Sequence, residues 1–148
     1  MESLSGRRPP VSLVLDSSAT LAWIYSDETT EPIRRVFDAV ANHGAVVPSL
    51  WRLEVANSLT GAMRRGRIDA EFRRAALADL AFLDIAVDAH TDFNAWAATL
   101  ELADRFRLTV YDAAYVELAG RRGLPLATLD EEMRDAGAAL GLSLLGAP

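Results

Sequence analysis

Cysteine and lysine are both absent from the 148 residues, and only two histidines occur. Without cysteine there is no disulfide, no thiolate nucleophile and no thiolate-bound zinc. His43 stands in the Asn42-His43-Gly44 turn and His90 just ahead of a helix, so both read as surface residues. That leaves histidine metal sites and Ser-His-Asp triads with little support. No apolar run approaches the roughly 20 residues of a membrane span. Arg7 and Arg8 are followed by no apolar segment of signal-peptide length, so residues 1–10 read as a flexible tail, 11–148 as a single domain, and the protein as cytoplasmic.

What is present is a globular composition, with 51% hydrophobic residues in a chain long enough for one substantial core. Net charge is -6, and all 15 basic residues are arginine. The acidic balance argues against a protein that coats nucleic acid, yet it leaves room for a nuclease with carboxylates gathered in one place. The pairs Arg64-Arg65, Arg73-Arg74 and Arg121-Arg122 are candidates for backbone contacts, with solvated helix faces as the simpler account.

Short aliphatic runs alternate with helical stretches. Strands are expected at Val11–Leu15, Ala45–Val47, Asp84–Val87 and Leu124–Thr128, with a last one at Leu142–Leu145. Ser17 or Ser18, Ser49 and Asp69 are placed to cap helices, Pro32 sits in a first turn, and Gly66 and Gly123 follow helix ends. One helix is expected from about Asp92 to Arg105 and another from Val110 to Arg122. This alternation predicts a three-layer α/β/α sandwich on a short parallel sheet of four to five strands.

Four carboxylates stand at the ends of these elements: Asp16, Glu54, Asp112 and Asp130. Parallel strands end at one edge, where open α/β sheets bind ligands. Two unit charges about 4 Å apart at an effective dielectric of about 20 repel by roughly 4 kcal/mol. Four converging acids therefore call for Mg²⁺ or Mn²⁺, or for shared protons, and point to metal-dependent phosphoryl transfer. The competing accounts are ordinary ones. Asp16 and Asp130 suit helix N-caps, Asp112 suits a first turn, and Glu54 suits a helix surface. Leu50, Leu53 and Gly61 are expected on the face of Glu54, and Asn57, one turn on, is expected within its reach. Tyr111 and Tyr115 read as packing residues. Leu21, Trp23, Trp51 and Leu59 read as core, with a partner surface as the other use.

The runs Val14-Leu15-Asp16-Ser17-Ser18-Ala19, Leu53-Glu54-Val55-Ala56-Asn57, Thr109-Val110-Tyr111-Asp112-Ala113-Ala114-Tyr115 and Leu126-Ala127-Thr128-Leu129-Asp130 resemble the PIN-domain family. Their order and spacing look most like the VapC toxins of type II toxin–antitoxin pairs, over about Val11 to Leu145. The resemblance implies a compact α/β/α sandwich and a Mg²⁺- or Mn²⁺-dependent endoribonuclease. It implies catalytic and metal-binding roles for Asp16, Glu54, Asp112 and Asp130, with Thr128 and Asn57 in support. It further implies an RNA substrate, with transfer RNA or a ribosomal RNA loop in view, a small cognate antitoxin and a homodimer. Other readings are a Mg²⁺-dependent phosphatase or receiver-like domain, and an inert PIN-like binding module. Asp16-Ser17-Ser18 lacks the second acid of an Asp-x-Asp phosphatase, and the missing lysine argues against a receiver.

Overall fold

In a computed structural model, residues 12–148 are described. Residues 1–10, expected as a tail, and Val11 of the first expected strand lie outside them. The described chain forms five strands and eight α-helices in alternation: β1 (Val14–Leu15), α1 (Ser17–Ile24), α2 (Glu31–His43), β2 (Ala45–Val47), α3 (Trp51–Arg64), α4 (Ala70–Ala81), β3 (Ile85–Val87), α5 (Thr91–Ala95), α6 (Ala98–Phe106), α7 (Val110–Arg122), β4 (Leu126–Ala127), α8 (Glu131–Ala139) and β5 (Leu144–Leu145). A 3-10 turn, Ser26–Glu28, joins α1 to α2.

The five strands make one parallel sheet in the order β3-β2-β1-β4-β5. Val14 pairs with Val46 on one side and Leu126 on the other, so β1 is central. Chain direction across the sheet reverses at β1. The loops leaving β1 and β4 therefore part to opposite faces, and the crevice between them is the topological switch point where such sheets bind ligands.

The strands are short, so most of the core comes from helices. Seven consecutive residues of α7, Ala113 to Ala119, are buried. That pattern belongs to a helix enclosed on all sides. Val14, Leu15, Val46 and Leu126 are fully buried between the helical layers, as parallel strands require. At the α2–β2 junction Gly44 has φ of 79°, and a Cβ there would stand 2.6 Å from the Asp84 carbonyl oxygen. Only glycine fits that corner without strain.

Three local expectations are corrected. The helix expected from Asp92 to Arg105 is two helices, α5 and α6, broken at Trp96-Ala97, where Ala97 has φ of -126° and ψ of -104°. Ser49 does not cap α3: the N-cap is Leu50, and the Ser49 hydroxyl turns toward Asp92 at 3.4 Å. The apolar stripe of α3 is Trp51, Val55, Leu59 and Ala62, whereas Leu53 is 75% exposed. Leu53 was assigned to the wrong face, and Glu54 borders the true stripe.

Candidate functional site

Asp16 follows β1 directly and occupies the N-cap position of α1, yet its carboxylate makes no capping bond. Its side chain is instead taken by two hydroxyls from either side of the switch point. Ser18 donates to Oδ2 at 2.6 Å and Thr128 donates to the same oxygen at 2.7 Å. Each hydroxyl is itself aimed by the loop after β4. The Leu129 amide donates to Ser18 Oγ at 3.0 Å, and the Asp130 amide donates to Thr128 Oγ1 at 3.1 Å. The Ser17 hydroxyl approaches Oδ1 at 3.4 Å, and the Ser17 backbone also bonds the carboxylate. Oδ2 thus takes both short hydroxyl bonds.

The other acids arrive on separate elements. Asp130 caps α8, accepting from the Met133 amide at 2.9 Å. Asp112 stands in the first turn of α7, where the Thr109 hydroxyl oxygen accepts from its amide at 3.0 Å. Glu54 is in the first turn of α3 and accepts a short 2.5 Å bond from the Tyr115 hydroxyl, whose ring is fully buried in α7. Tyr115 was expected to be a packing residue. It packs, but it also holds one of the four acids. The other tyrosine, Tyr111, is 65% exposed and does not pack. Asn57, expected to reach Glu54, makes no side-chain hydrogen bond among the described residues.

These carboxylates sense one another. Burial pushes Asp16 above the usual carboxylate range; its hydroxyl partners pull it back and the charge of Asp130 pushes it up again. Glu54 is raised by burial and by the charges of Asp16 and Asp112, against the opposing Tyr115 bond. Asp112 is pushed up to about 6 by burial and by Asp130 and Asp16. The structure therefore brings all four sequence-selected acids within electrostatic reach of one another, and Thr128 links Asp16 to the Asp130 amide. No arginine is paired with Asp16, Glu54, Asp112 or Asp130 among the described residues.

The donor set is oxygen only and carries surplus negative charge. Among the described residues no three acidic or histidine side chains close into a metal-holding cage. An open set of carboxylates suits Mg²⁺, which keeps several waters and takes few protein ligands. Both histidines are exposed and neither partners the site.

A family model for the PIN domain matches residues 13–139. The chain belongs to the PIN-domain family. Ribonuclease VapC3 of Pyrobaculum aerophilum is 32% identical over 125 residues, covering 84% of this chain and 94% of that protein. Ribonuclease VapC3 of Mycobacterium tuberculosis is 31% identical over 125 residues, covering 84% and 87%. Among solved structures, PAE2754 from P. aerophilum matches with a TM-score of 0.60 at 25% identity, over 86% of each chain. FitAcB from Neisseria gonorrhoeae matches with a TM-score of 0.61 at 12% identity, over 89% and 95%, a likeness of fold. The expected parallel α/β/α sandwich is thus the PIN architecture, with Asp16 and Asp130 in the loops after β1 and β4 at its switch point.

Sequence reasoning had passed over Ser18 and the hydroxyl of Tyr115. The signal for Ser18 was its place two residues after Asp16, on the first turn of a helix that starts at a sheet edge. The signal for Tyr115 was its i+3 spacing from Asp112, which sets both on the same side of α7.

Proposed function

We propose that this PIN-domain chain is the toxin of a type II toxin–antitoxin pair, a Mg²⁺- or Mn²⁺-dependent endoribonuclease acting in the cytoplasm on transfer RNA or a ribosomal RNA loop. The observation that carries the reading is Asp16: a buried carboxylate held by two hydroxyls, facing three further acids with no cation among its protein partners. The curated relatives, both ribonucleases by name, support the same reaction class and not a phosphatase.

Asp16, Glu54, Asp112 and Asp130 would hold the metal, which supplies Lewis acidity and charge neutralisation for phosphodiester hydrolysis. Ser18 and Thr128 fix Asp16, and Tyr115 fixes Glu54, so the acids are set before substrate arrives. Neither histidine is placed to act as base toward a ribose 2′-hydroxyl, so the products are 5′-phosphate and 3′-hydroxyl ends.

An antitoxin is the proposed partner. Supporting it is an apolar groove of about 410 Å³ between α1, α2 and α4, lined by Trp23, Phe37, Phe72 and Leu80 among others. An arginine from that partner would pair with the carboxylates bidentately. Trp51 and Leu59, in contrast, are core residues. A homodimer is the proposed assembly, and the exposed Phe93 of α5 and Trp96 just after it offer an apolar face. Among the described residues no helix is long and apolar enough to cross a membrane.

The test is cleavage of mixed RNA by the purified chain with Mg²⁺, with EDTA and with a phosphomonoester alongside. Metal-dependent RNA fragments bearing 5′-phosphates are expected. Full cleavage in metal-free buffer, or 2′,3′-cyclic phosphate ends, would overturn the mechanism.

A further inference from the structure

An open groove of about 610 Å³ runs along α3 beside the acidic site. At one end it is lined by Ser18, Asn57 and Leu129, which adjoin Asp16, Glu54 and Asp130; at the other by Arg64, Arg65 and Arg67. Ten to eleven helical residues separate Glu54 from Arg64 and Arg65, about 15 Å along the axis.

The three arginines are not equivalent. Arg67 is committed to the protein: it pairs with Asp27 at 3.2 Å and Glu28 at 2.7 Å and lies 3.9 Å over the Tyr25 ring. Arg64 and Arg65 are exposed and have no carboxylate partner among the described residues. The other two arginine pairs singled out in the sequence are occupied. Arg74 pairs with Glu71, Arg73 donates to the Thr60 hydroxyl at 3.0 Å, Arg121 pairs with Asp88 and Glu117, and Arg122 approaches Asp88 at 3.9 Å.

Arg65 folds back along α3 past Gly61: a Cβ on Gly61 would stand 3.0 Å from Arg65 Nη1.

We propose that this groove is a track for the strand of RNA flanking the scissile phosphate, with Arg64 and Arg65 as its phosphate contacts. The proposal rests on the ribonuclease reading above. It also answers a difficulty in that reading. A chain of net charge -6, with four acids at its centre, repels a polyanion, and cleavage needs a cationic strip beside the acids to hold it. The polar hydroxyl and amide groups of Ser58 and Asn57 between the arginines and the acids suit sugar and base edges of an unpaired strand.

The probe is a short fluorescein-labelled single-stranded RNA of mixed sequence, its binding followed by anisotropy across a salt series. Binding is measured in an Asp16→Asn background so that the RNA stays whole. Arg64→Ala with Arg65→Ala should weaken binding about tenfold or more at low salt and flatten the salt slope by about 1.4, two contacts at about 0.7 each. Arg34→Ala with Arg35→Ala, on α2, should change neither.

If the wild type cuts RNA with Mg²⁺ but the double variant binds with unchanged affinity and slope, the track is overturned and the ribonuclease reading stands. The arginines would then serve an acidic protein segment. If the wild type neither binds nor cuts RNA, both fail together.

Discussion

Two aspartates follow strands at the same edge of the sheet and are equally hidden, and they behave in opposite ways. Asp16 follows β1 and is 4% exposed; Asp88 follows β3 and is 2% exposed. Burial pushes both upward. At Asp16 it wins, because the partners are hydroxyls and the nearest charge is another acid. At Asp88 it loses. Arg121 donates to both carboxylate oxygens, at 3.1 and 2.7 Å, the Thr91 hydroxyl donates at 3.1 Å, and the carboxyl is held below its usual range. Arg121 also grips Glu117. The protein thus supplies a cation to the acid that holds α7 to the β3–α5 loop and withholds one from the acid at the switch point. On the proposed metal-dependent reading, Asp16 is the carboxylate left for a cation from outside.

Exchanging the two acids' partners would break this contrast. Asp16→Asn is expected to lower RNA cleavage about a thousandfold, equivalent to roughly 4 kcal/mol. It should leave the melting temperature unchanged or raised, since it removes like-charge repulsion. Arg121→Ala should do the reverse. It leaves Asp88 buried with only the Thr91 hydroxyl and the more distant Arg122, and unfolding should become easier by roughly 2 kcal/mol, read by denaturant titration. Cleavage at low temperature should stay within a few fold of wild type. An unfolded Asp16→Asn variant would make Asp16 structural and remove it from the site.

Tyr115→Phe sharpens the comparison within the site. It deletes the hydroxyl on Glu54 and keeps the buried ring. Loss of such an orienting partner typically costs 10–100-fold in metal affinity or activity. Mn²⁺ binding followed by electron paramagnetic resonance, without RNA, should weaken by about that range while the fold is retained. Unchanged Mn²⁺ binding would reduce Tyr115 to packing.

Acidity separates the two aspartates most finely. The raised carboxyls of Asp16, Glu54 and Asp112 favour the neutral form in the folded chain. Their contribution to stability is fully present below the unfolded value, near 4, and is lost as pH rises through the folded one, about 6 for Asp112. Asp88 runs the other way: its contribution is present above the ordinary carboxylate value and disappears as pH falls through its lowered one. In EDTA the melting temperature should therefore rise slightly from about pH 8 to 5 and fall in stronger acid. Mg²⁺ should raise it at pH 8 and have little effect near 5, where protons compete. A Mg²⁺ effect equal at both pH values would argue against carboxylate ligands.

The sheet was legible, and the four acids could be singled out, because short apolar runs, glycine stops and acids at their ends all lie local in the chain. Asp88 shows the limit of that grammar. It ends a strand just as Asp16 does, and only the approach of Arg121, 33 residues on, makes it structural. Leu53 and Glu54 were placed on one face because helical spacing alone does not say which stripe meets the core. The break at Trp96-Ala97 carries no glycine or proline, so periodicity ran through it. Ser18 and the Tyr115 hydroxyl went unread because their roles depend on partners from distant segments.

Distance along the chain also sets a clock. Asp16 is held by Thr128, 112 residues later, and β1 has a neighbour on each side only when β4 arrives. During synthesis at about 5–20 residues per second, roughly 6–22 s pass between the two. Through that interval the nascent chain has its first carboxylate without the hydroxyl that orients it. The acid at the switch point is therefore without its full set of neighbours until nearly all of the chain has been made.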